Sequence, residues 1–252
     1  MQKRIIAFID ILGFKQALEH QELFDNIYAL ISTIAATNSS HSFVLEPNPS
    51  GYRIEGSPEV SSFSDHVVIS LDDKSDNDPF KFSGSIDIIL DAIARICDFA
   101  LFSGFLVRGG MTYGEVIHKS NVVFGRALVE AVSVEENLAV HPRILLTNSI
   151  LSKVGVSLHN MSVSNRVCQD HDGLIYANWM GTGRMHCPLP NGKDLGYDAN
   201  VHNNYIERMR IYKSVIESNL TLYKDDHRKY RHWHWLGKNY NHNVAYQQQV
   251  QY

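Results

Sequence analysis

The sequence predicts an α+β fold in which helices cover one face of a mostly antiparallel sheet. Two observations support this prediction. Short apolar runs alternate along the chain with longer segments whose apolar residues recur every three or four positions, and these are the patterns of strands and of helices. In chain order the predicted elements are strand, helix, hairpin, helix, strand, helix and strand. That order is typical of a sheet with helices packed against it.

The first predicted strand, residues 4–9, runs directly into Asp10 and then reaches a turn at Gly13. Consecutive apolar residues indicate a strand that is covered on both faces. Asp10 lies where this strand leaves the sheet, and Gly13 allows a tight turn into a helix. Asp10 is therefore either the cap of that helix or a metal ligand beside a phosphate-binding turn. The second interpretation requires another carboxylate.

Two long amphipathic helices are predicted from apolar residues at helical spacing. The first spans residues 21–37 and is followed by a polar loop at 38–50. The second spans residues 86–100 and ends at Ser103-Gly104.

A hairpin between these helices supplies the second carboxylate. Strand-like residues 52–63 and 67–71 flank Ser64-Asp65-His66, which predicts a hairpin with Asp65 at its tip. In the predicted sheet this hairpin lies beside the first strand, so Asp10 and Asp65 can meet. Because side chains alternate along a strand, Ser61, Phe63 and Asp65 share one face.

The rest of the sheet is predicted from three further segments. Residues 105–117 form a strand rich in glycine, where another backbone or a ligand can approach closely. Residues 122–125 lead into a third helix, and strands follow at 143–146 and within 163–177, the last broken at Asp172-Gly173.

We predict a catalytic domain over residues 1–180 and a C-terminal extension over residues 181–252. The extension contains a Gly/Pro/Asn-rich loop at 182–198 and a helix marked by apolar residues from Ile206 to Leu220. Its basic tail carries Trp233 and Trp235. A basic aromatic tail can bind nucleic acid, but the burial habits of tryptophan favour a helix packed on the core.

The composition of the 252-residue chain is that of an ordinary folded protein, with 44% hydrophobic and 20% charged residues. A net charge of −4 gives no reason to expect binding to nucleic acid or an anionic membrane. The three cysteines lack a paired or metal-like spacing, which is typical of free thiols in a reducing compartment. No segment predicts a signal peptide or a membrane span. We therefore expect a cytoplasmic protein without nucleic-acid or membrane partners.

Asp10 and Asp65 together predict a site for hard divalent cations, Mg²⁺ or Mn²⁺. The free amides of the turn from Leu12 through Gly13 and Phe14 to Lys15 can receive a polyphosphate. Two metal ions about 3.5–4 Å apart can activate a hydroxyl and stabilise the leaving oxygen of an in-line displacement. The residues alone thus predict metal-dependent nucleotidyl transfer or cyclisation.

Four motifs, in the same order, resemble those of the class III nucleotide cyclases over residues 4–147. They resemble that family's F-x-D-I-x-G-F turn, its Gly-Asp hairpin, its R-x-G-I-x-x-G-x-V strand and its G-x-x-V-N-x-A-x-R-x-E helix. In this chain they are Phe8-Ile9-Asp10-Ile11-Leu12-Gly13-Phe14, Ser64-Asp65, Arg108-Gly109-Gly110-Met111 with Gly114-Glu115-Val116, and the segment from Gly125 to Glu135.

The resemblance implies a ferredoxin-like cyclase domain in which Asp10 and Asp65 are catalytic and hold two metal ions, with Ile11 also at the metal site. It implies a homodimer with two equivalent active sites at the subunit interface. The positions at which the family reads a purine hold Ser61 and Val122, neither of which carries a charge. The positions of the family's helix Asn and transition-state Arg hold Val129 and Ser133.

Another cation must therefore replace the transition-state arginine. Arg108, Lys15 and Arg143 are the candidates, and each is alternatively a surface or structural ion-pair residue. Tyr52 and Arg53 can reach the base or form an ordinary strand pair. His66 is interpreted as a hairpin residue.

The motifs F-I-D-I-L-G-F-K, F-S-D-x-V-V-I-S, R-G-G-x-x-Y-G and P-R-I resemble the bacterial pyrimidine cyclases of the Pycsar antiphage systems. That resemblance implies a lyase that converts UTP or CTP into the 3′,5′-cyclic nucleotide and diphosphate, as a second messenger for antiviral defence. The alternatives are a purine cyclase with a rearranged pocket and a catalytically inactive sensor domain. A diguanylate cyclase or polymerase palm would show a different hairpin motif.

The substrate-binding residues that the resemblance implies are Ile11, Leu12, Gly13, Phe14, Lys15, Ser61, Phe63 and Val122.

Overall fold

The computed structural model describes residues 2–37, 43–45, 54–120, 122–155, 159, 165–181, 201–244 and 250. The strands, numbered in chain order, are β1 (Gln2–Leu12), β2 (Phe43–Leu45), β3 (Ile54–Gly56), β4 (Glu59–Phe63), β5 (His66–Asp72), β6 (Leu106–Lys119), β7 (Val122–Phe124), β8 (Ile144–Leu146), β9 (Val167–Gln169) and β10 (Ile175–Ala177). The α-helices are α1 (Phe14–Ala17), α2 (Phe24–Thr37), α3 (Pro79–Phe102), α4 (Arg126–Asn137), α5 (Asn148–Val154), α6 (Val201–Leu222) and α7 (His227–Asn243).

The main sheet confirms the α+β prediction. Its strands run in the order β4-β5-β1-β6-β8-β10-β9, with β7 paired to β6 beside this path. The sheet is mixed, because β6 and β8 are parallel while the other pairs are antiparallel. β2 and β3 form a separate two-stranded sheet, and β2 interrupts the segment predicted as a polar loop.

The prediction that helices lie on one face of the sheet is wrong. The odd-numbered residues of β1, including Ile5 and Ile9, belong to the main core with α3. The even-numbered residues Ile6 and Phe8 instead form a second apolar cluster with Ala127 and Ala131 of α4. The apolar run of β1 is thus buried on both faces, as its sequence predicts, because α4 covers the second face.

Glycine allows α4 to lie close to the sheet. Gly125 precedes the helix with φ +148°, and a Cβ there would lie 2.5 Å from the carbonyl oxygen of Glu115. A Cβ on Gly110 of β6 would lie 2.5 Å from the carbonyl oxygen of Ala131. The glycine-rich strand therefore admits another backbone, that of α4.

The main core lies between the sheet and α3. This helix begins with Pro79 after Asp78, whose carboxylate accepts hydrogen bonds from the amides of Phe80 and Lys81. It ends before Gly104, which has φ +81° as a helix-ending glycine should. The predicted helix is confirmed and begins seven residues earlier than residue 86.

The C-terminal helices α6 and α7 pack on the same core. Asp98 of α3 is completely buried and accepts hydrogen bonds from Arg208 and Tyr212 of α6. Trp233 and Trp235 of α7 are buried and belong to the main core cluster. The tail thus forms a packed helix, which confirms the interpretation favoured for its tryptophans.

Other predicted segments differ in extent from the structure or lie outside its described residues. The strand predicted within 163–177 is a hairpin of β9 and β10 that turns at Asp172-Gly173. The helix predicted directly after the turn at Gly13 is present as the four-residue α1, whereas α5 is not predicted because seven residues are too few to show a helical period. Tyr52, Arg53 and the loop at 182–198 lie outside the described residues. In the described part of the chain, no helix has both the length and the apolar character to cross a membrane.

Candidate metal centre

Asp10, Asp65 and His66 converge at one end of the sheet. Asp10 lies opposite His66 in the β1–β5 pair, and Asp65 lies in the β4–β5 turn immediately before His66. The amide of Ile11 donates a hydrogen bond of 2.9 Å to the backbone carbonyl of Asp65, which holds the turn against β1. One possible ligand atom from each of the three side chains lies within 4.8 Å of the others. The predicted meeting of the two aspartates is therefore present.

His66 joins this cluster through both ring nitrogens. Nδ1 lies 3.1 Å from an oxygen of Asp65, and Nε2 lies 3.7 Å from an oxygen of Asp10. The ring packs beside Phe8 and Phe63, with centroid distances of 5.0 and 5.5 Å. Nδ1 is buried and makes no hydrogen bond of acceptable geometry within the described residues. The sequence interpretation placed His66 in the hairpin but not among the ligands.

The three side chains fit a divalent cation. The carboxylates of Asp10 and Asp65 are partly buried oxygen donors, and His66 adds a nitrogen donor without a hydrogen bond. Mg²⁺ prefers oxygen ligands, whereas an imidazole nitrogen suits a transition metal. If His66 is a ligand, the set favours Mn²⁺ over Mg²⁺. The side chain of Ile11 is buried in the core, so only its backbone can meet a metal.

Arg108 lies between Asp10 and Glu135. Its Nε donates a hydrogen bond of 3.2 Å to Asp10, and its Nη2 lies 2.7 Å from an oxygen of Glu135. Burial of Glu135 raises the pKa of its carboxyl, the charge of Arg108 opposes that shift, and Asp10 reinforces it. In the sequence, Glu135 is found only because it matches a motif position. Its contact with Arg108 on β6 is not predicted, because a carboxylate on a helix does not show which residue it pairs with.

The turn beside the cluster begins later than predicted. Leu12 is still part of β1 and pairs with Leu106, and Gly13 makes the turn with φ +84°. Phe14 starts α1 and packs into the main core, whereas Lys15 is exposed on the same helix. Within the predicted phosphate-binding stretch, the turn itself is therefore confined to Gly13 and the first residues of α1.

The residues predicted to face a base differ in their surroundings. The Ser61 hydroxyl donates a hydrogen bond of 2.8 Å to the carbonyl of Ser120 and lies 2.9 Å from Nε2 of His118. Phe63 and Val122 are exposed, at 63% and 57% of their surface. His118 is completely buried and was not found from sequence, because a lone histidine in a strand shows no motif.

The hydrogen bonds of Ser61 fix the tautomer of His118. The single hydroxyl proton of Ser61 is used toward Ser120, so Nε2 of His118 must donate to Ser61. Nδ1 then accepts a hydrogen bond of 2.8 Å from Ser70. Ser61 keeps acceptor capacity but has no proton left to donate.

Arg143 does not belong to this cluster. Its side chain is 1% exposed and forms ion pairs with Asp170 and Asp172, both in the turn between β9 and β10. Of the three candidate cations, Arg143 thus has the structural ion-pair role, Arg108 contacts the metal centre and Lys15 is exposed.

Neither a protein-family model nor a curated protein matches this chain. The comparisons therefore assign no family. The four motifs and the geometry at Asp10 are the observations from which a function can be inferred.

Proposed function

We propose that this protein is a metal-dependent cyclase that converts UTP or CTP into the 3′,5′-cyclic nucleotide and diphosphate. The observation that carries this proposal is the convergence of Asp10, Asp65 and His66 within 4.8 Å at the end of adjoining strands. The turn at Gly13 follows Asp10 directly along the chain. Carboxylates beside a strand-to-helix turn provide neighbouring places for divalent cations and for the phosphates that they bind.

The reaction closes a ring on one nucleotide. The 3′-hydroxyl oxygen forms a bond to the α-phosphorus, the bond from that phosphorus to the diphosphate oxygen breaks, and the hydroxyl proton leaves to solvent or a base. Asp10 and Asp65 would hold the divalent cations, two per active site, which neutralise the phosphates and activate the hydroxyl. Arg108 holds Asp10 in place through its hydrogen bond of 3.2 Å, and Glu135 holds Arg108.

The choice of a pyrimidine rests on the resemblance and on what surrounds the positions at which the resemblance places the base. Ser61 and Val122 carry no charge that would read a purine edge. Ser61 can accept a hydrogen bond from the base but has already donated its proton to Ser120. Exposed Phe63 offers a ring for stacking. These features support a small base that presents a donor.

A homodimer with active sites at the subunit interface is part of the proposal, as is a role for the product in antiphage signalling. Phe63, Val122 and Val129 are exposed at 63%, 57% and 69% on β4, β7 and α4. A second copy of the chain packed against this side of the sheet would cover apolar surface that a single chain exposes.

The direct test gives the protein each of the four ribonucleoside triphosphates separately, with Mn²⁺ and then with Mg²⁺, and identifies the products by mass. We expect a 3′,5′-cyclic pyrimidine nucleotide with diphosphate in equal amount. Predominant cyclic AMP or cyclic GMP would instead identify a purine cyclase with a rearranged pocket.

A catalytically inactive sensor domain is the second candidate, and one contact favours it. Arg108 already neutralises Asp10, so the cluster has an internal cation in place of a metal ion. This candidate predicts no turnover of any triphosphate by a folded protein, at any concentration of Mn²⁺. It also predicts that Asp65→Asn changes nothing except stability.

A further inference from the structure

A cavity lies beneath the C-terminal helices, apart from the candidate metal centre. It has a volume of about 870 Å³, within the range of small-molecule sites. Its walls come from the β1–α1 turn and the start of α2, the α3–β6 turn, and the region where α6 meets α7. Asp10, Asp65, His66 and Arg108 do not line it. The proposed function therefore does not account for this space.

The cavity combines apolar walls with side-chain amides. Leu12, Phe105 and Trp233 contribute apolar surface, while Gln16 and Asn26 contribute amide groups. The side chains of Gln16 and Asn26 make no hydrogen bond within the described residues. An amide presents a donor beside an acceptor, which matches the hydrogen-bonding edge of a planar heterocycle.

His232 adds a buried polar atom without a partner. It lines the cavity, and its Nδ1 is buried and makes no hydrogen bond within the described residues. Burial and the nearby charge of Arg231 lower its pKa to about 4, so the ring is neutral at pH 7. Buried polar atoms in proteins are nearly always hydrogen-bonded, so this nitrogen, on a residue that lines the cavity, is available to a bound polar group or a water molecule.

Among the described residues that line the cavity, Arg228 is a cation without a charged partner. Lys229 lies 3.9 Å from Asp226 and over the ring of Tyr223. The guanidinium of Arg228, in contrast, makes no hydrogen bond or ion pair within the described residues. A guanidinium is suited to bidentate binding of phosphate or carboxylate. The cavity can therefore accept one anionic group.

We propose that this cavity is a binding site for a nucleotide-like ligand, a planar heterocycle that carries one phosphate group. Arg228 binds the phosphate, His232 and the amides of Gln16 and Asn26 bind polar groups, and the apolar walls contact the ring. The site is separate from the metal centre, yet Leu12 and Gly13 belong both to its wall and to the segment that follows Asp10. Its binding does not depend on the proposed cyclase activity.

Isothermal titration calorimetry with the full chain tests this proposal. Uridine 5′-monophosphate is the probe, and EDTA in the buffer removes divalent cations so that the metal centre does not bind it. Uridine and inorganic phosphate are titrated separately. We expect one site for the monophosphate per chain, with affinity at least about tenfold higher than for uridine or phosphate alone.

Variants locate the bound probe. Arg228→Gln and His232→Leu should each weaken binding by at least about tenfold, since each removes a polar contact. Lys238→Gln, an exposed change on the same helix that does not line the cavity, should leave binding unchanged. Circular dichroism confirms that each variant is folded. The proposal is overturned if the monophosphate does not bind, if uridine binds equally well, or if Asp10→Asn but not Arg228→Gln removes binding.

Discussion

Arg108 and Arg143 each lie between two carboxylates, but the two arginines differ in their access to solvent. The side chain of Arg108 is 28% exposed and contacts Asp10 and Glu135. The side chain of Arg143 is 1% exposed and contacts Asp170 and Asp172. We call Arg143 with Asp170 and Asp172 the closed network, because its arginine is shielded from solvent. We call Arg108 with Asp10 and Glu135 the accessible network, because its arginine is partly exposed.

The difference shows why an ion pair alone does not define a functional site. At Arg143, each neighbouring carboxylate has a cation, and Asp170 also accepts a hydrogen bond of 2.9 Å from Trp235. At Arg108, the neighbouring Asp65 and His66 lie beside Asp10, and no guanidinium from the described residues forms an ion pair with Asp65. These additional ligand atoms, together with solvent access, are why the metal site is proposed at the Arg108 network and not at Arg143.

The largest expected effect is on catalysis at the accessible network. Asp10→Asn or Asp65→Asn should lower the proposed cyclic nucleotide formation by at least about 100-fold, because each replaces a carboxylate of the proposed metal site by a neutral amide. The matched control is Asp172→Asn, the same chemical change at the closed network, which should keep activity. Mass detection of the product measures all three, and unchanged product from Asp65→Asn would remove the metal assignment.

The next effect is on stability, and here we expect the larger loss at the closed network, whereas the larger loss of activity is expected at the accessible one. Arg143→Met should lower the free energy of unfolding by about 3–5 kcal/mol, because it removes a buried guanidinium and leaves Asp170, whose side chain is 12% exposed, without its cation. Arg108→Met should cost at least about 1 kcal/mol less, since the Arg108 side chain is 28% exposed and that of Arg143 only 1%. Urea denaturation followed by circular dichroism compares the two. Equal losses would show that solvent access does not separate these networks.

Much of the fold and the two aspartates could be predicted because the signals are local. A buried strand that ends in Asp10, and a Ser-Asp turn between two strands, are each visible within ten residues of sequence. Their meeting follows from the pairing of β1 with β5, which brings Asp10 opposite His66. Local pattern and strand pairing together are enough to predict that meeting.

The partners of these residues could not be predicted, because they come from distant segments. Glu135 reaches Arg108 only because α4 lies on the second face of the sheet, and the sequence gives no sign of which face a helix covers. Ser61 is predicted to face a base, and its contact with His118 is not predicted because the two residues lie 57 positions apart in the sequence. The cavity beneath α7 likewise requires three separate segments.

Lowering the pH should reduce the stability that Asp170 contributes in the closed network. Burial acts to raise the pKa of Asp170, but hydrogen bonds from His171 and Trp235 and the charge of Arg143 outweigh it and lower the pKa to about 2. This carboxylate therefore contributes stability above its ordinary pKa of 3.8, and the contribution is lost as the pH falls through about 2. We expect Asp170 to account for about 2 kcal/mol of lost stability over that window.

Urea denaturation at pH 4.5, 3 and 2 measures this loss. Arg143→Met should lose less over the same range, because it has already lost one cause of the lowered pKa. Arg108→Met should retain the acid dependence of the unmodified protein. A similar acid dependence in Arg143→Met and in the unmodified protein would contradict the role assigned to the Arg143 charge.

The smallest effect on stability should come from Glu135→Gln at the accessible network. Burial raises the pKa of Glu135, so its contribution to stability is greatest when it is protonated and is lost as the pH rises through that raised pKa. The amide resembles the protonated form and removes the cost of burying a charge, but it weakens the contact with Arg108 at 2.7 Å. These effects oppose each other, so the free energy of unfolding at pH 7 should change by less than about 1 kcal/mol.

Urea denaturation between pH 4 and 7 should show a flatter dependence of the free energy of unfolding on pH for Glu135→Gln than for the unmodified protein. Cyclic nucleotide formation should fall by about tenfold, because Arg108 is held less firmly. A loss of several kcal/mol at pH 7 would instead show that Glu135, like Asp170, belongs to a closed structural network.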